Sequence, residues 1–83
     1  NSMDFFLRPS YYPSYRIFAN QNRLVSPVYE FLKKSCLWGS YDRDELHDDT
    51  RFLGFEFRSG LEASEALVEC FKLKAKYDEE NNG

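Results

Sequence analysis

The side chains able to do chemistry are sparse. The one histidine, His47, lies within Asp42-Arg43-Asp44-Glu45-Leu46-His47-Asp48-Asp49, the densest charged stretch of the 83-residue chain. Carboxylates beside a histidine can hold a hard cation. Aligned as a calcium loop from Asp42, however, the stretch puts His47 where a glycine must turn and Leu53 where the closing glutamate belongs. A histidine-activated nucleophile needs a partner within hydrogen-bond reach, and no Ser/His or Cys/His motif surrounds His47. The stretch reads as a solvated hairpin loop. Paired carboxylates do acid–base work only where their environments differ. Glu62, Glu65 and Glu69, spaced three and four apart, read as the solvated flank of a helix. Cys36 and Cys70 are too few for a disulfide scaffold and read as two core thiols of a reducing compartment. These residues predict no enzyme, no metal and no cofactor.

Binding chemistry is better represented. Counting strand phase places Phe6, Arg8, Arg16, Phe18, Phe52 and Arg58 on one face of a sheet. Arginines interleaved with aromatic rings can hold phosphates and stack on bases, and apolar rings exposed on a sheet also mark protein contacts. Glu56 falls on the same face, within reach of Arg16 and Arg58, and reads as half of a cross-strand ion pair.

Those residues need strands and helices to present them. Asp4 to Pro9 reads as a strand stopped by proline, Ser10-Tyr11-Tyr12-Pro13 as a turn-like link, and Ser14 to Asn20 as a second strand with Tyr15, Ile17 and Ala19 on one face. Val28, Phe31 and Leu32 give the stripe of a helix ending at Ser35, with Ser26 as its cap and Pro27 in its first turn. Leu37-Trp38-Gly39-Ser40-Tyr41 reads as a third strand. Arg51 to Arg58 alternates most clearly, with Leu53, Phe55 and Phe57 facing one way. Ser59-Gly60-Leu61-Glu62 fits a capping box ahead of a last helix carrying Ala63, Ala66, Leu67, Cys70, Phe71 and Tyr77. The fold class expected is α+β: a four-stranded antiparallel sheet in the order β-β-α-β-β-α, both helices on one face and the other face open.

Composition bounds the rest. A chain this short supports one domain, spanning residues 4–77. Residues 1–3 read as a tag remnant and start, and 78–83 as an acidic tail that frays. Aromatics are 18% of the chain, and large rings compensate for a small core. No apolar run approaches membrane-spanning length, and no signal-peptide pattern opens the chain, so an intracellular location, cytoplasmic or nuclear, is expected without a membrane partner. The net charge is −3. Residues 1–35 carry five basic against two acidic side chains and the remainder six against twelve. An acidic total weakens generic nucleic-acid binding, which draws on counterion release, but leaves room for a local basic face.

Several strings resemble one repeat of the LAGLIDADG homing endonuclease family. Pro13-Ser14-Tyr15-Arg16-Ile17 is similar to its second strand, and Asn20-Gln21-Asn22-Arg23-Leu24 with Val28-Tyr29-Glu30-Phe31-Leu32 to its turn and following helix. Trp38-Gly39-Ser40-Tyr41 resembles its third strand. Arg51 to Phe57 and Leu61 to Phe71 are similar to its fourth strand and closing helix. The likeness spans residues 5–76. The family's signature helix, which carries the metal-binding acid, has only Asn1-Ser2-Met3 in its place. The resemblance therefore implies a DNA-contacting sheet without cleavage, with Arg8, Arg16 and Arg58 as the contacts. Arg51-Phe52-Leu53-Gly54-Phe55-Glu56-Phe57 is also similar to the aromatic strand of the RNA-recognition motif. It differs in having Phe52 where that motif has glycine, and no strand follows the last helix. The expectation is a non-catalytic nucleic-acid-binding module, with a small protein-interaction or inhibitor module, of viral or mobile-element origin, as the alternative. Exposed strand edges also allow a homodimer.

Overall fold

A computed structural model describes residues 3–37, 45–47 and 49–82, the middle segment by its backbone alone. Strand β1 is Phe5–Pro9 and β2 is Tyr15–Asn20. The hairpin between them has a cis Tyr12–Pro13 peptide. A single 3-10 turn, Gln21–Arg23, starts where the Asn20 side chain accepts the Asn22 N–H at 3.0 Å. Helix α1 is Ser26–Ser35, β3 is Glu45–His47, β4 is Thr50–Phe57 and α2 is Gly60–Asn81.

The sheet proper has three long antiparallel strands, with β2 central between β1 and β4. Ile17 lies opposite both Leu7 and Phe55. The three-residue β3 pairs with the far edge of β4, from Glu45 opposite Phe52 to His47 opposite Thr50. Between them Asp49 takes a φ of 67°, a left-handed conformation that aspartate adopts more readily than most residues.

This corrects the expected four-strand β-β-α-β-β-α fold. The full strands and helices run β-β-α-β-α, and the edge ladder lies in the stretch expected to be a loop. Leu37, the first residue of the expected third strand, lies in a bend. Its N–H donates to the Glu56 carbonyl near the end of β4 at 2.8 Å. The rest of that strand, 38–41, lies outside the described residues, as do positions 42–44 and 48 of the charged loop.

Both helices cover one face. Phe5, Ile17, Ala19, Phe55 and Phe57 from the sheet pack against Val28 and Leu32 of α1 and Ala63, Ala66 and Cys70 of α2. Large rings from short strands meet small residues on α2, which lets the long helix lie close to the sheet. Phe5 meets Phe71 edge-on with centroids 5.0 Å apart, and Tyr29 meets Phe55 likewise at 6.2 Å. Cys70 is buried in this core and Cys36 is half-buried, both as free thiols.

The helix ends depart from expectation in two places. Ser26 is the first helical residue and caps nothing. Val25 holds the N-cap, its carbonyl accepting the Tyr29 N–H at 3.0 Å. At α2 the Ser59 hydroxyl accepts the Glu62 N–H at 3.2 Å, half of the expected box. The acidic tail expected to fray is helical through Asn81. Lys74 Nζ donates to both Asp78 carboxylate oxygens at 2.9 and 3.0 Å, and Asn81 Nδ2 to the Tyr77 carbonyl at 2.8 Å. Among the described residues, no helix is long and apolar enough to cross a membrane.

Candidate nucleic-acid interface

Strand register assembles the predicted residues on the face away from the helices. Phe6 lies opposite Phe18, and Phe18 opposite Gly54. Arg8 lies opposite Arg16, and Arg16 opposite Glu56. Two residues past Glu56 comes Arg58, beyond the end of β4.

The rings are not displayed as expected. Phe18 is 5% exposed and Phe52 4%. Phe6, half-buried, stacks on Phe18 with centroids 5.3 Å apart and meets Phe52 edge-on at 5.0 Å. The missing side chain of Gly54 admits the Phe18 ring. A Cβ there would stand 3.0 Å from Phe18 Cε1. The three rings therefore form a second small hydrophobic cluster on this face. An open stacking platform of Phe6, Phe18 and Phe52 is thus corrected: Phe18 and Phe52 are buried, and Phe6 is half-buried against both.

The arginines separate into two kinds. Arg16 Nε donates to Glu56 Oε1 at 2.8 Å, the cross-strand pair read from the sequence, with Glu56 only 5% exposed. Arg16 thus neutralises a buried carboxylate and holds the sheet together. Arg8 and Arg58 are exposed. The Arg8 guanidinium also lies over the Phe6 ring, 5.2 Å from its centroid, which orients it by a cation–π contact.

The β1–β2 hairpin tip adds two residues that the sequence reading passed over as a link. Ser10 N–H donates to the Ser14 carbonyl at 3.0 Å, and Ser14 N–H to the Tyr11 carbonyl at 2.7 Å. The loop closes on its own backbone and leaves the Tyr11 and Tyr12 side chains outside. Tyr11 is 81% exposed and Tyr12 97%. Two adjacent tyrosines before a proline, in a turn with no core to join, were the available sequence signal.

Among the described residues, no group of three His, Cys, Asp or Glu side chains converges on a metal position. Burial pushes the Cys70 thiol up to about 12 and the Cys36 thiol up from its ordinary value, opposite to the shift that activates a nucleophile. At the other end of the sheet, Arg23 pairs with Asp4, which together with the charge of Asp78 raises the guanidinium's pKa. Comparison with known proteins matches the chain to no family model, no curated protein and no solved structure.

Proposed function

We propose that this chain is a non-catalytic nucleic-acid-binding module. It holds the phosphate backbone with Arg8 and Arg58 and offers Tyr11 and Tyr12 as stacking faces. The supporting observation is the grouping of two exposed guanidiniums on one sheet face with two exposed rings at the adjoining hairpin tip. Arginine forks suit phosphate. An exposed tyrosine stacks on any base without sequence preference, which favours a single strand over a duplex. Arg16, expected as a contact, serves the sheet instead. Of the LAGLIDADG resemblance, the proposal keeps only the use of a sheet's arginines toward DNA.

Fluorescence anisotropy with a labelled single-stranded oligonucleotide and its duplex tests this across a salt series. Two phosphate contacts on a single strand give a log–log salt slope of roughly −1.4, and Arg8→Ala or Arg58→Ala shallows it by about 0.7. Tyr12→Ala weakens binding by about 1 kcal/mol or more, with the slope retained. Absence of binding to either probe at low salt refutes the proposal, as does affinity indifferent to all three variants.

A further inference from the structure

A groove of about 420 Å³ runs between α1 and α2, on the opposite side of the molecule's sheet from Arg8 and Arg58. Its floor is apolar, formed by Phe31, Phe57 and Ala66, and Ser35 stands at its mouth. Its rim is one sign of charge: Glu62, Glu65 and Glu69, successive turns of α2. None of these three carboxylates forms an ion pair or hydrogen bond with another described residue. Only Glu62 lies in the first turn, where the helix dipole favours an acid. Glu65 and Glu69 are four apart, a like-charge spacing that weakens a helix. The carboxylate that would complete the capping box lines this groove instead.

We propose that the groove seats an apolar–basic peptide segment of a partner protein. An apolar side chain fills the space against Phe31 and Phe57, and flanking lysines or arginines meet Glu62, Glu65 and Glu69. Charge complementarity selects this occupant. An uncompensated acidic rim repels acidic segments and nucleic acid, and an aromatic floor receives the aliphatic stem of a basic side chain as readily as a leucine. The inference is independent of phosphate binding at the sheet.

The probe is a fluorescein-labelled pentapeptide alternating leucine with lysine and arginine, beside a control in which glutamates replace the basic residues. The wild-type chain binds the basic peptide, less tightly as salt rises, and not the control. The double substitution Glu65→Gln with Glu69→Gln weakens binding about tenfold. Ser35→Trp, which keeps the charges but blocks the mouth, does so at least as strongly. Circular dichroism confirms that each variant is folded. Equal binding of both peptides overturns the proposal, as does an affinity that neither variant changes. Sedimentation gives the remaining outcome: if the chain self-associates through this groove and the peptide fails to compete, the occupant is a second copy and the proposal is wrong.

Discussion

Arg16 and Glu56 show how one contact changes what a residue is for. By type and phase Arg16 was a phosphate contact. Its bond to a buried carboxylate makes it structural, and Arg16→Ala should cost about 2 kcal/mol of stability in urea denaturation, because Glu56 loses a charge-assisted partner. Strand phase was legible in the sequence, and it correctly grouped Phe6, Arg8, Arg16, Phe18, Phe52 and Glu56. Burial was not, because the close approach of Phe18 depends on its lying opposite Gly54, a register no single strand encodes. Cys70 gives a pH-dependent test. Its folded pKa lies at about 12, above its ordinary 9.0, so between those values the unfolded chain loses a proton the folded chain keeps. Its contribution to stability is whole below pH 9 and declines as pH rises toward 12. Stability measured at pH 8 and pH 10.5 should fall less between the two in Cys70→Ala than in the wild type.

At the scale of elements, the strongest periodicities translated directly: Arg51 to Phe57 into β4, and the stripe from Ala63 to Phe71 into α2. The cap was half legible. Ser59→Ala should lower the urea midpoint by an amount equivalent to about 1 kcal/mol, because the Glu62 N–H loses its acceptor. A Glu62→Gln change should lower that midpoint less, by the equivalent of about 0.3–0.5 kcal/mol, since only the first-turn charge on the helix dipole is lost and no bond returns from its side chain. The acidic tail misled for a physical reason. Asp78, Glu79 and Glu80 oppose the helix dipole at a C-terminus, but Lys74 beneath them offsets the charge through its bidentate contact with Asp78. Of the expected third strand only Leu37 is among the described residues, and there it lies in a bend with its N–H on the Glu56 carbonyl.

At the scale of the molecule, two charged groupings lie apart among the described residues, one basic and one acidic. The exposed Arg8 and Arg58 and the two tyrosines gather at one end of the sheet, while carboxylates with no partner among the described residues line the crevice between the helices. A net charge of −3 conceals that division, which is why composition argued against the proposed nucleic-acid binding. The ion pair of Asp4 with Arg23, the pull of Asp78 on that same guanidinium and the contact of Phe71 with Phe5 bring the first strand's start and the last helix's end to one pole. The tyrosine tip sits at the opposite one. A polypeptide joined before Asp4 or after Asp78 therefore departs from the rear, and the module can be tethered from either direction, or spliced into a host protein, with its forward surface unobstructed.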